Sequence, residues 1–345
     1  MATGSGLDAQ LGVIPEVTWG TPLTPTRFYE FNTESVKRDY TWLEPTGLRV
    51  GTKYKRASRA RVSRQSVSGD FELEWATKGM GLLVAQMLAS GLTTTTQILA
   101  TTAYKQIHTP GDFRGKGMTL QIGRPEPATG TVRPFTMTGC KVGKWDFSLK
   151  DNAIPTLKLT VDGKSETTAT ALAVASYLTG ATVFDFSQAT LKLGGTASTA
   201  AGETTISSGV AVATIIKDIT ISGAAPMATD RFGIGNAGLK SEQLENATPT
   251  ITGKMSAEFG KAELYDQFSS QTAIPLQLDL NGAQIGSSGN NFLLSFILPA
   301  VKFKAAPPQV SGPGVVMMAT DFEVYSDEVN PVIQIKIQSD EATSV

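Results

Sequence analysis

Few residues of this chain could do chemistry, and the most regular of them are three carboxylates in VSGDFELEW, residues 67–75. Asp70, Glu72 and Glu74 alternate there with apolar residues. Two facing acids can divide the acid and base roles of a hydrolysis, but residues two apart on a strand point the same way and make a stripe. The stripe reads as the wet face of a sheet. With one histidine, His108, and one cysteine, Cys140, the chain offers no triad, internal disulfide or multi-histidine metal site. The expected roles of these two are a loop imidazole and a buried small thiol. GIGNAG, residues 233–238, matches a dinucleotide fingerprint in spacing. Its flanks, MATDRF and LKSEQLENATPT, supply neither the strand nor the helix that a phosphate site needs, so a hairpin loop is the better reading. Neither a cofactor nor an enzymatic activity is expected.

The remaining chemical signal is charge. Residues 49–65, RVGTKYKRASRARVSRQ, hold Arg49, Lys53, Lys55, Arg56, Arg59, Arg61 and Arg64 without an intervening acid, together with Tyr54. Like charges this dense repel and do not pack alone. They fit either phosphate or an acidic surface on a neighbouring protein. Over the chain, 30 Lys+Arg balance 31 Asp+Glu for a net charge of −1, which favours the protein contact over nucleic acid or membrane.

The elements that position these residues follow from periodicity. In VSGDFELEW, Val67, Gly69, Phe71, Leu73 and Trp75 share one face and Ser68, Asp70, Glu72 and Glu74 the other. TKGMGLLVAQMLASG follows, with Met80, Leu83, Val84 and Met87 at helical spacing and Gly91 placed to stop the helix. Abundant Thr, Ser, Gly and Ala and many alternating segments predict an all-β fold with a few short helices.

The same order recurs. ITGKMSAEF at residues 251–259 repeats VSGDFELEW 184 residues on, and GKAELYDQFSSQT follows with Leu264, Tyr265 and Phe268 as an apolar stripe. MTLQIG and IPLQLDL match loosely, and FYEFNTESV and IIKDITISG match in spacing. DFSLKDNAIPTLKLTVDG and DFEVYSDEVNPVIQIKIQSD share Asp-Phe, a turn, Pro and strict alternation. Two modules are expected, 1–170 and 171–345. KSETTATALAVASYLTGAT lies between them as a linker or a short packed helix. The start, MATGSGLDAQ, lacks the features of a signal peptide, and ALAVASYLTGA is too short and polar to span a bilayer. A soluble, unexported protein of a reducing cytoplasm is expected.

These segments together resemble the tail tube (major tail) proteins of long-tailed, siphovirus-like bacteriophages. LGVIPEVTWGTPLTPTRFYEF resembles the family's amino-terminal arm, VSGDFELEWATKGMGLLVAQML its central segment, and ITGKMSAEFGKAELYDQF with DFEVYSDEVNPVIQIKI the same module again. The resemblance implies two tandem β-sandwich modules whose sheets join between subunits into a ring-shaped β-barrel. Rings of six modules would need three chains each, a trimer in preference to a hexamer, and would stack into a conduit for DNA ejection. It implies a virion tail component assembled in the host cytoplasm. The partners would be further copies of itself, tape-measure protein and genomic DNA in the lumen, and terminator and distal tail proteins, with no membrane. Asp70, Glu72, Glu74 and Glu258 would then line the lumen and repel phosphate, diluted by Lys158, Lys254 and Lys336. The loop carrying Arg49, Lys53, Tyr54, Lys55, Arg56, Arg59, Arg61 and Arg64 would reach the adjacent ring. A capsid decoration protein or host-binding β-sandwich adhesin is the alternative that shares this composition.

Overall fold

The computed structural model describes residues 4–90, 95–305 and 307–343. Strands dominate them, with two α-helices, α1 (Gly81–Leu88) and α2 (Glu263–Ser270). In the strand Arg61–Glu74, Val67, Phe71 and Leu73 are buried and the residues between them are not. In α1, Leu83, Val84 and Met87 are buried, and the helix stops at Ala89, whose left-handed backbone lets its N–H return to the Ala85 carbonyl. Gly91, the expected stop, lies outside the described residues. α2 buries Leu264 and leaves Tyr265 largely exposed.

One antiparallel central sheet crosses the molecule. Its order is Lys37–Leu43, Arg61–Glu74, Thr156–Gly163, residues 141–150, Ile216–Ala224, Thr250–Glu258, Met317–Val324 and residues 301–305. The first four strands come from the first half of the chain and the last four from the second. They meet where Phe147 stands opposite Ile221. The sheet is open, with Lys37–Leu43 at one edge and residues 301–305 at the other.

The second layer also has the same order in each half. Arg27–Tyr29, Gln10–Pro15, Met118–Pro125, residues 132–140 and Ser165–Thr167 lie in sequence in the first. Val210–Ala211, Ala189–Leu193, Ile274–Gln284, residues 291–301 and Gln334–Ser339 do so in the second. Val132–Lys150 and Asn291–Ala305 each serve both layers, which requires them to bend. A β-bulge bends a strand and re-aims it, and both strands bulge at corresponding points. Register slips between Val142–Val161 and Lys144–Thr160, and again between Phe303–Phe322 and Ala305–Asp321, each position 161 residues later. It slips also between Met118–Cys140 and Leu120–Met137, and between Ile274–Val301 and Leu276–Leu298.

This register corrects one sequence match. The two Asp-Phe pairs are not counterparts: residues 146–150 belong to the long bent strand, whereas Asp321 and Phe322 lie on Met317–Val324, which takes the place of Thr156–Gly163. The strand after Pro331 leaves the central sheet altogether and pairs with Asn291–Ala305 and Tyr104–His108. Its alternation gave it two faces but could not name its neighbours.

The core runs unbroken through both halves. Phe147 and Phe296 have ring centroids 4.7 Å apart, and Trp75 meets them edge-on at 5.5 and 5.9 Å. The glycine shared by VSG and ITG has a packing cause in each half. A Cβ on Gly253 would stand 2.0 Å from the Phe322 ring, and one on Gly69, at φ 150, would stand 2.5 Å from the Ser35 carbonyl oxygen. Residues 171–178 form no helix and lie along the outer layer, where Gln10 Nε2 donates to the Ala173 carbonyl and Gln121 Nε2 to that of Ala171.

Candidate functional site

Alternation gives the central sheet a polar face opposite its core. One row across it reads Glu72, Lys158, Asp146, Ser222, Thr252, Glu323 and Lys302, each opposite the next. A neighbouring row reads Glu74, Thr156, Ser148, Thr220, Lys254 and Asp321. Asp70, Glu72, Glu74 and Glu258 therefore share this face, as their spacing predicts. They do not make it uniformly acidic. Lys158 pairs with Asp70 at 3.0 Å, Lys144 with Asp146 at 3.1 Å, Lys217 with Glu258 and Lys304 with Glu323 at 3.2 Å. Burial would raise the Asp70 carboxyl, but hydrogen bonds from Thr160 and Lys158 outweigh it and hold that carboxyl below the usual range. Glu72 and Glu74 form no ion pair among the described residues. The surface is a lattice of alternating charges with two free carboxylates near one edge.

Lys254 and Lys158 lie on this face, and Lys336 does not. Its strand has left the central sheet, and Lys336 Nζ bonds Glu203 Oε1 at 2.7 Å beside Lys105, which pairs with the other oxygen. Burial raises the Glu203 carboxyl, and its two lysines more than reverse that.

The basic segment occupies the end of a long hairpin, because Lys37–Leu43 pairs with residues 61–68. Arg49, Lys53, Tyr54, Lys55 and Arg59 are exposed there, and Arg56 is half-buried. Lys55 pairs with Glu44. Arg61 is exposed on the returning strand, and Arg64 lies over the Phe232 ring, 4.8 Å from its centroid. Apolar residues accompany the charge: Trp42, Leu43, Leu48 and Val50 are also exposed. Tyr40 and Trp42 alternate along a strand otherwise made of Lys, Arg, Asp and Thr, a sequence pattern that marks a face awaiting cover.

The corresponding loop of the second half does not project. Phe232 and Lys240 bridge across GIGNAG, which is a hairpin turn. The surrounding segment folds back on the first half through reciprocal buried lysines. Lys240 Nζ bonds both oxygens of Asp162 at 2.7 and 2.9 Å. Lys141 Nζ bonds Glu242 Oε1 at 2.7 Å and the carbonyls of Phe113 and Gln243. Burial pulls the Lys141 ammonium below its usual range, and Glu242 opposes the shift. Single lysines within a polar segment gave no sequence sign of burial.

The opening segment is not a free arm. Gln10–Pro15 pairs with strands on both sides, and Glu16 accepts hydrogen bonds from Thr119 Oγ1 at 2.9 Å and the Gly139 N–H at 2.8 Å. Burial raises the Glu16 carboxyl despite these bonds. His108, expected in a loop, is buried on Tyr104–His108, and Cys140 is buried as expected. Among the described residues no cluster of His, Cys, Asp and Glu could hold a metal ion, and no helix is long and apolar enough to cross a membrane.

An open two-halved sheet with a wet charged face and a projecting basic hairpin describes a part made for assembly. The model of the phage tail tube protein family matches residues 6–326. The chain belongs to the phage tail tube protein family. It is thereby a structural component of a phage tail, a part of the virion that assembles with copies of itself and with other tail components. No curated protein matches the chain. The match spans the polar face, the hairpin and the folded-back loop, so family membership covers each feature described above.

Proposed function

We propose that this tail tube chain carries two copies of one tube module, so that three chains close a ring of six modules and stacked rings form the conduit for DNA ejection. The observation that supports this reading is the recurrence of both bulges at a constant displacement in strands holding the same place in each half. Bulges are retained features of a fold and do not recur in register by chance. Residues 1–170 and 171–345 are then the two modules, joined inside one chain by the pairing that elsewhere would join subunits.

The polar face of the central sheet, with Asp70, Glu72, Glu74 and Glu258, would line the channel. Alternating paired charges suit a wall past which a polyanion and the tape-measure protein slide, since neither sign presents an attractive patch. The basic and apolar hairpin, from Arg49 to Arg64, would insert against the next ring. Terminator and distal tail proteins would meet the two ends of the stack. Assembly in the host cytoplasm follows from this use. Electron microscopy of assembled tubes tests the proposal: three chains per ring are expected, and six chains per ring would overturn it.

A further inference from the structure

The central sheet is open at both ends, and its internal seam shows what each end fits. At the seam the Ala225 N–H donates to the Gly143 carbonyl at 2.9 Å and the Asp151 N–H to the Lys217 carbonyl at 2.7 Å. By the alternation of antiparallel pairing, Phe147–Ile221 is also a hydrogen-bonded pair and Ser148–Thr220 a non-bonded one with close side chains.

The two open edges occupy the corresponding positions. Pro308 pairs with Met318 and Gln309 with Met317, as Phe147 pairs with Leu157 and Ser148 with Thr156, each 161 residues earlier. Lys37 stands opposite Ser68 as Ser222 stands opposite Thr252. Val36 thus holds the place of Ile221, and Pro308 that of Phe147. Val310 is 78% exposed, although its counterpart Leu149 is 6% exposed.

The Val36 edge is covered by side chains. The Val36 N–H donates to Glu34 Oε2 at 3.1 Å, and Arg124 Nη2 donates to the Val36 carbonyl at 2.5 Å. Arg124 also holds Glu34, with Nε on Oε1 at 2.9 Å and Nη2 on Oε2 at 2.8 Å. An uncovered edge invites untimely pairing, and inward-turned charges are a recognised means of blocking it.

We propose that residues 33–37 receive residues 307–311 of a second copy of this chain, with Val36 opposite Pro308, and that Glu34 guards this edge until the copy arrives. The inference rests on the tube reading and adds its register. Proline explains the asymmetry of the guard. At the internal seam Phe147 supplies an N–H to the Ile221 carbonyl, whereas Pro308 has none to give. Arg124 supplies the missing donor and can stay. Only Glu34 must withdraw, freeing the Val36 N–H for the Pro308 carbonyl. Val310 would then be covered as Leu149 is.

Disulfide trapping tests the register. Ser35→Cys with Gln309→Cys creates the counterpart of the non-bonded pair Ser148–Thr220, whose side chains lie within disulfide reach. Ser35→Cys with Ser311→Cys creates a diagonal pair about 7 Å apart or more, beyond that reach. Mild oxidation of assembled protein should give an intersubunit ladder at least tenfold stronger for the first pair. Equal trapping by both, or none in material that shows rings, overturns the register and leaves the tube reading standing. A ladder without rings supports the seam and removes the tube, and neither ladder nor rings removes both. Independently, Glu34→Ala should shorten the lag before assembly, followed by light scattering, severalfold. An unchanged or longer lag in a variant with the parent's circular dichroism removes the guard.

Discussion

The Lys240 ammonium of the second half lies 2.7 Å from the Asp162 carboxylate of the first, with 1% of the lysine side chain and 20% of the aspartate side chain exposed. Gln243 also donates to this carboxylate, at 2.8 Å. Removing one member of a buried pair strands the other charge, a loss of about 3 kcal/mol, whereas removing both is far milder. Urea unfolding should therefore show Lys240→Met strongly destabilised and the double variant Lys240→Met, Asp162→Leu substantially recovered. A double variant as unstable as the single one would mean that the pair is not what fastens the loop.

Gly253 has no room for a side chain. Gly253→Ala puts a methyl group into the Phe322 ring, and the sheet must shift to relieve it. Overpacking of this kind costs about 1–3 kcal/mol. Thermal denaturation should record a lowered midpoint. A variant with the parent's midpoint would contradict the close contact.

His108 should make the fold acid-sensitive. Burial holds its imidazole down at about 4, against an ordinary value of 6.5. The folded chain then binds fewer protons than the unfolded one, so this contribution is complete above pH 6.5 and is lost as pH falls from there toward 4. The shift corresponds to about 3 kcal/mol. Unfolding free energy measured from pH 7 to 4 should fall less steeply in His108→Asn, and identical slopes would show that the imidazole is not the cause.

Glu72 and Glu74 are the free carboxylates of the proposed channel wall. Glu72→Lys with Glu74→Lys should turn that sector attractive to phosphate and slow DNA release severalfold at low ionic strength. Because added salt screens such contacts, release should recover in high salt. Phage ejection followed by DNA-dye fluorescence reads both effects, and parental kinetics at low salt would count against a channel-facing position.

Much of this was legible in the sequence. Period-two alternation assigned Phe71, Leu73 and Trp75 to the core and Asp70, Glu72 and Glu74 to the wet face. Helical spacing in α1 and the charge of residues 49–65 came from short-range pattern as well, and the segments together resembled the family that the family match then showed. Each rests on neighbours within a few residues, where side-chain direction follows directly from the local backbone.

The choice of partner was not legible. Asp146-Phe147 and Asp321-Phe322 look alike, yet the bulges put them on non-equivalent strands. Lys336 alternates like a lining residue, yet its strand pairs with Tyr104–His108 and gives it to Glu203. Lys141, Lys240, Glu34 and Arg124 read as ordinary surface charges until residues tens to hundreds of positions away closed around them. Alternation fixes which way a side chain points relative to its own strand. Which strand comes to lie beside it is decided by long-range packing, in which one shared core, from Trp75 through Phe147 to Phe296, holds both halves in a single arrangement.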